Sequence, residues 1–266
     1  QRDPGRCSRS RPMQVYQSRS SLRGMALRRS GKFRAFSRMP LFIRALRIGV
    51  WLLPILIMMD LGYLIGIWPD WDKYAEGPVQ RSSFISSYEF ERHQRKDWPR
   101  LRWNPVPIET VPRGMIRALI VAEDANFYSH QGVDINALKE AMEYNLSEKR
   151  LVYGASTISQ QTVKNIFLSP SRNPLRKWHE LVLTIAMERN LSKKRILEHY
   201  INVAEFGRGI YGVDAAARYY YGISASRLSN RQVIELAATL PSPIANNPQT
   251  RTSSFNRRVK KIRRYF

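Results

Sequence analysis

The sequence contains a single cysteine, Cys7. One thiol cannot close an intrachain disulfide, and no C-x-x-C or H-x-x-x-H spacing offers a metal site. His130, His179 and His199 are scattered, and Asp134 sits four residues from His130 only across a turn that contains Gly132. No G-x-S-x-G element is present, which removes the usual signature of a serine hydrolase. Sustained strand alternation is missing and no internal repeat occurs, so the chain is expected to be mainly α. Acidic residues are also scarce: 21 Asp and Glu face 44 Lys and Arg, a formal charge of +23. Such a balance favours partners that carry phosphate, whether nucleic acid, anionic lipid or a pyrophosphate. No helix-turn-helix or finger signature supports nucleic acid.

What the sequence does have is one long apolar run, residues 48–68 (IGVWLLPILIMMDLGYLIGIW), with Asp60 as its only ionisable group. Its length suits a membrane-spanning helix, and Trp51 and Trp68 suit the two interfaces. A secretory signal would have a shorter apolar centre and a small-residue cleavage site. Residues 1–47 hold 13 Lys/Arg against one acid, Asp3, whereas the sequence just after the run is nearly balanced. The positive-inside rule therefore keeps the N-terminus in the cytoplasm and exports the larger part. Five segments follow: a basic cytoplasmic tail over 1–47, the span over 48–68, a Trp- and Pro-rich linker over 69–106 that packs against a domain or a membrane surface, a helical domain over 107–250, and a basic tail over 251–266 read as a solvated helix or arm. The Arg/Ser-rich first 35 or so residues, beginning at Gln1 rather than Met, are expected either to be disordered or not to represent the natural start.

Within the helical domain, apolar residues recur at helical spacing over 114–122, 135–146, 157–168, 174–190, 193–203, 210–220 and 230–240. Asp134, Asn173 before Pro174, and Ser192 are suitable helix caps. Three stretches could carry chemistry. In VAEDANFYSHQGVD (121–134), Glu123 and Asp124 end an apolar helix; a solvated helix end, a metal site and a catalytic carboxylate compete, and the motif taken alone favours the helix end. In YGASTISQQTVKN (153–165), a helix beginning near Ser156 or Thr157 would present free amides and a stripe of Gln160, Gln161, Lys164 and Asn165 to an anion; the plainer alternative is a T-x-x-Q capping box. In NPLRKWHELVLTIAMERN (173–190), Glu180 shares a stripe with Arg176 and lies beside Lys177, either as a routine ion pair or as a buried carboxylate in need of cations. Lys194 and Arg208 are further candidate ligands for an acidic substrate.

Taken in order, Glu123-Asp124-x-x-Phe127-x-x-His130-x-Gly132, then Gly154-x-Ser156-Thr157-Ile158-x-Gln160-Gln161-x-x-Lys164-Asn165, then Arg176-Lys177-x-x-Glu180, then Lys194-x-Ile196-Leu197-Glu198-x-Tyr200-x-Asn202 resemble the successive motifs of the peptidoglycan glycosyltransferases of family 51. The stretch from Gly209 to Gly222 is similar as well. The likeness covers about 107–248; since the sequence ends soon afterwards, without a penicillin-binding transpeptidase domain, the monofunctional members are the expected match. Thr162 and Ile201 stand where many members have Leu.

The resemblance implies a lysozyme-like, mostly helical domain that polymerises lipid II into β-1,4-linked glycan with inversion and release of polyprenyl pyrophosphate. It implies Glu123 as the base that takes the acceptor's 4-hydroxyl proton, and Glu180 with Lys164, Arg176 and Lys177 around the leaving pyrophosphate. Ser156, Thr157, Gln160, Gln161 and Asn165 are implied for the donor site. Asp124, Phe127, His130, Gly132, Gly154, Glu198, Tyr200 and Asn202 are expected to support the motifs. No cofactor is required by the residues, although a divalent cation such as Mg²⁺ could accompany the pyrophosphate. The implied partners are lipid II, the growing lipid-linked glycan and the inner membrane, with division or elongation proteins as candidates. Two rival readings stand beside this one: a lysozyme-like hydrolase or lytic transglycosylase, which would not need cations aimed at a pyrophosphate, and a non-catalytic membrane scaffold.

Overall fold

The computed structural model describes residues 40–148, 154–171 and 173–266. The expectation made for the first 35 or so residues lies outside them. Helix α1, Leu41–Gly66, holds the apolar run as far as Gly66, with Ile67 and Trp68 just beyond its end, and continues through Pro54. Its apolar side chains are exposed along its length, with Val50, Trp51 and Ile65 each more than 60% accessible. An unpartnered apolar surface on a helix of this length fits a membrane anchor.

The larger unit, from Leu64 onward, is built from helices whose ends are closed by the expected side chains. Asp134 accepts from the Ala137 amide, Asn173 from Leu175 and Ser192 from Arg195. After the short helix α2 (Trp71–Ala75) and α3 (Ser83–Gln94) come α4 (Arg113–Glu123), α5 (Ile135–Ser147), α6 (Ile158–Phe167), α7 (Pro174–Asn190) and α8 (Lys193–Val203). A small three-stranded sheet follows the order β1 (Arg102–Trp103), β3 (Ile210–Tyr211), β2 (Glu205–Gly207). β1 runs parallel to β3 and β2 antiparallel to it, with a bulge between Glu205 and Gly207. The chain closes with α9 (Val213–Tyr221), α10 (Asn230–Thr239) and α11 (Ser253–Tyr265).

Helix–helix packing accounts for the core. α4 buries Met115, Ala118 and Leu119 against α10, while α6 packs on α7 and α8 through Ile158, Val163, Leu183 and Ile196. Ala216 and Ala217 of α9 are fully buried, as small residues at a close approach require. The segment 69–106 packs against the domain, one of its two expected placements, and is partly helical: it contains α2 and α3, and Trp71 joins the main core. The segment 251–266 is a helix, one of its two expected forms, but it is docked rather than solvated. It forms α11, which buries Phe255 and Ile262 against α10 and α4 and turns its basic residues outward with the exception of Arg258.

Candidate active site

Glu123 is the last residue of α4, and its side chain is only 10% exposed. Two donors hold it. Gln161 Nε2 donates to Oε2 at 2.9 Å, and a terminal guanidinium nitrogen of Arg258 donates to Oε1 at 2.5 Å. The Tyr200 hydroxyl donates to Gln161 Oε1 at 3.2 Å, which turns the amide so that its NH₂ faces the carboxylate. Burial pushes the Glu123 carboxyl above its ordinary range; the Arg258 charge, the Gln161 hydrogen bond and the Lys164 ammonium oppose this without cancelling it. The carboxylate borders a cavity of about 530 Å³, shared with Asn126, Tyr144, Gly154, Ser156 and Thr157. A buried carboxylate held from both oxygens, with its pKa above the ordinary range, accepts a proton more readily than a free one.

Asp124 does different work. Its carboxylate accepts from the Ile158 amide at 2.9 Å and from His130 Nε2 at 3.0 Å, while the Gly132 amide donates to His130 Nδ1 at 3.1 Å. The Gly132 bond sets the proton on Nε2. Asp124 and His130 thereby lock the loop after α4 onto the start of α6, and Phe127 is buried beneath them. Gly132 has φ +93°, and a Cβ there would lie 2.8 Å from Thr184 Cγ2.

The same contacts correct one expectation. The first amide of α6 is not open to a ligand, because Asp124 occupies it, and Thr157 and Gln160 form a reciprocal capping box. Thr157 also donates to the Gly132 carbonyl at 2.6 Å, so its hydroxyl is engaged inside the protein, as is the Gln160 side-chain oxygen. The plainer reading of that stretch holds, and the anion at this helix terminus is the protein's own. Asn165 is buried as well. Thr162, one of the departures from the family pattern, is fully buried and bonds back to the Ile158 carbonyl.

Glu180 is 3% exposed and meets cations on both oxygens: Lys177 Nζ at 2.5 Å and an Arg176 guanidinium nitrogen at 3.4 Å. Lys177 also reaches Ser156 Oγ at 3.4 Å, joining this cluster to the cavity wall. Lys164 lies between the carboxylates in electrostatic terms. Burial lowers its pKa, the Glu180 charge opposes that most strongly, and Glu123 acts in the same sense as Glu180. The structure therefore brings Glu123, Gln161, Lys164, Ser156, Arg176, Lys177 and Glu180 into one region. Among the described residues no group of three or more His, Cys, Asp or Glu side chains is placed to hold a metal ion.

Other expected residues stand apart. Lys194 pairs with Glu109 at 2.6 Å beside a separate groove. Glu198 accepts from the Ile108 amide and pairs with Arg195, and Asn202 bonds both backbone groups of Val106, so these two clamp the chain that enters α4. Gly154 lies at the cavity wall with open space around it rather than a close approach. Arg208 stacks over Trp98, 4.9 Å from its ring centroid. The residue that sequence reasoning missed is Arg258. Its one signal was Phe255, Val259 and Ile262 at helical spacing inside the basic tail.

A family model described as Transglycosylase matches residues 91–265, a range that includes α11. Proteins named biosynthetic peptidoglycan transglycosylase are similar to this chain. The one from Nitrosospira multiformis is 45% identical over 163 residues, 61% of this chain and 70% of that protein. One from Thiobacillus denitrificans is 44% identical over 165 residues, 62% and 71% of the two chains. One from Azoarcus sp. is 43% identical over 186 residues, 68% and 80% of the two chains.

Proposed function

The chain belongs to the transglycosylase family and is a peptidoglycan glycosyltransferase of cell-wall synthesis; we propose that it polymerises lipid II with Glu123 as the base. The observation that carries this assignment is the buried Glu123 carboxylate, gripped by Gln161 and Arg258, next to a separate set of cations around Glu180. A sugar hydroxyl is a poor nucleophile, and a positioned carboxylate that takes its proton lowers the barrier. The acceptor 4-hydroxyl gives its proton to Glu123 while its oxygen attacks the donor's anomeric carbon. The bond from that carbon to the pyrophosphate breaks, and polyprenyl pyrophosphate leaves with the electron pair. Attack from the opposite face inverts the configuration and leaves a β-1,4 linkage. Lys164, Arg176 and Lys177 meet the negative charge that develops on the leaving group. Glu180 holds Arg176 and Lys177 in place before the substrate arrives. Gln161 and Arg258 orient the base, and Ser156 lines the donor side. A divalent cation, if present, comes with the pyrophosphate as part of the substrate.

The apolar helix α1 supports an anchor in the cytoplasmic membrane, and the basic residues ahead of it support a cytoplasmic N-terminus with the catalytic unit in the periplasm. A tethered enzyme meets its lipid-linked substrate at a high effective concentration. Purified full-length protein in detergent, given lipid II, should form long glycan strands, and a lipid II competitor that occupies the donor site should stop it. Soluble fragments from finished cell wall, without polymerisation, would instead identify a lytic enzyme. Full rescue of cells by a Glu123/Glu180 double variant would identify a scaffold.

A further inference from the structure

A cavity of about 670 Å³ lies between α10 and α11 and shares no residue with the Glu123 cavity or the Glu180 cluster. Its wall carries four cations, Arg231, Arg251, Lys260 and Arg263, against one acid, Glu235. The Glu235 side chain is 4% exposed and fully engaged. Arg231 Nε donates to its Oε1 at 3.1 Å, the Arg251 guanidinium reaches the same oxygen at 3.4 Å, and the Tyr221 hydroxyl donates to Oε2 at 2.9 Å. A buried carboxylate thus holds two guanidinium groups at the rim, much as Glu180 holds Arg176 and Lys177, and Arg231, like Arg176, stands one turn before its glutamate. Among the described residues Arg251 is the only non-glycine with a positive φ, +44°, and Asn256 Nδ2 donates to its carbonyl at 2.9 Å. Backbone and carboxylate together fix where this guanidinium sits.

Glu235 uses only Nε of Arg231, which leaves both terminal nitrogens available. Lys260 and Arg263 are exposed one turn apart on α11, and neither has a carboxylate partner among the described residues. Three cations without a protein counter-charge repel one another across the seam where α11 packs on α10. A tetrahedral oxyanion of two charges can meet the guanidinium fork of α10 and both cations of α11 at once, whereas a carboxylate is satisfied by a single fork. Asn256, Val259, Lys260 and Arg263 form one stripe of α11, while Arg258 leaves the helix on another side to reach Glu123. We propose that the pocket between α10 and α11 binds a phosphate group through Arg231, Lys260 and Arg263, and that its occupancy fastens to α10 the helix that positions Glu123 through Arg258. The phosphate is either the free anion or the head group of an anionic phospholipid. Binding here does not depend on the polymerase reading above.

Hydrogen exchange on full-length protein in phosphatidylcholine nanodiscs, titrated with inorganic phosphate at constant ionic strength, tests this. Exchange at the α11 backbone amides should slow in a saturable manner, by about ten-fold at ten times the Kd, because an opened α11 no longer completes the site. The Lys260→Gln/Arg263→Gln double variant, whose changed side chains are exposed, should bind phosphate about ten-fold or more weakly and lose this protection. Arg231 is left in place so that Glu235 keeps its partners. Protection in nanodiscs that contain phosphatidylglycerol, with no phosphate added, would identify the lipid head group as the source; protection only on adding phosphate would identify the free anion. The proposal is overturned if neither protects, if acetate protects as well as phosphate, or if the double variant keeps the protection. That last result would also place the phosphate at the Lys164–Arg176–Lys177 cluster. Wild-type protein that shows the protection yet makes no glycan would count against the polymerase reading and leave this site standing.

Discussion

Arg258 donates to Glu123 Oε1 at 2.5 Å and, through the same nitrogen, to the Ala122 carbonyl at 3.0 Å. A helix at the C-terminal end of the chain thereby grips both the backbone and the carboxylate at the end of α4, 135 residues earlier. Burial raises the Glu123 pKa and the Arg258 charge is the largest influence against it, so the pair sets where this carboxylate is ionised.

Replacing Glu123 by Gln should cut polymerisation by about 10²- to 10⁴-fold, the usual worth of a positioned base. The amide is close to isosteric and retains an oxygen for one of the two donors. Thermal unfolding should therefore shift little, and normal polymerisation by this variant would remove Glu123 from the proton transfer.

In the wild type, activity should fall as pH falls through the raised Glu123 pKa, since a protonated base accepts nothing. Arg258→Met removes the charge that favours ionisation, so the acid limb should move to higher pH. Arg258→Lys should return it part of the way. A purely structural role would lower the rate at every pH and leave the limb where it was.

Glu180 is the strongest influence keeping Lys164 charged against its burial. In Glu180→Gln the Lys164 pKa should drop further, and a cation needed for the leaving pyrophosphate should be lost at lower pH than in the wild type. The alkaline limb of the rate profile should move down accordingly. An unchanged alkaline limb would mean that Lys164 does not act as a charge on the donor.

Gly132→Ala places a Cβ 2.8 Å from Thr184 Cγ2 at a φ of +93°. The cost should be about 1–3 kcal/mol of stability, read as a lower unfolding midpoint in urea. Because the same turn carries His130 and the Thr157 contact, activity should fall along with it.

His199 is buried on α8 and bonds the Tyr74 carbonyl at 2.8 Å; burial pulls its pKa from 6.5 down to about 4. Below pH 6.5 the unfolded chain takes up a proton that the folded protein refuses, so stability is full above that pH and declines as pH falls toward 4. His199→Gln keeps a donor for Tyr74 without a titrating ring. Between pH 6.5 and 5 the wild type should lose on the order of 1–2 kcal/mol more than this variant, and parallel melting curves for the two would disprove the assignment.

Much of the helical framework was legible because an amphipathic helix needs only its own side chains to declare a face. The segments around α4, α5, α6, α7, α8 and α10 follow from apolar spacing, and Asp134, Asn173 and Ser192 cap where local chemistry requires. Short β1, β2 and β3 left no periodic signal, since two or three residues cannot show an alternation. α11 was obscured for a different reason: its many Lys and Arg outweigh the few apolar residues that dock it.

The carboxylates and cations of the site are in the sequence as residue types and spacings, and those determined the family resemblance and the apolar anchor. Tertiary structure alone decided the division of labour among them. Whether Asp124 moves a proton or caps α6 depends on a helix that begins 34 residues later, at Ile158. Whether Thr157 and Gln160 face a ligand depends on the carboxylate already seated there. Arg258 became part of the site only because Phe255 and Ile262 bury α11 beside α4. Hydrogen bonds and charges act through a few ångströms of space, whereas sequence pattern reports only along the chain, so contacts between distant helices had to come from the fold.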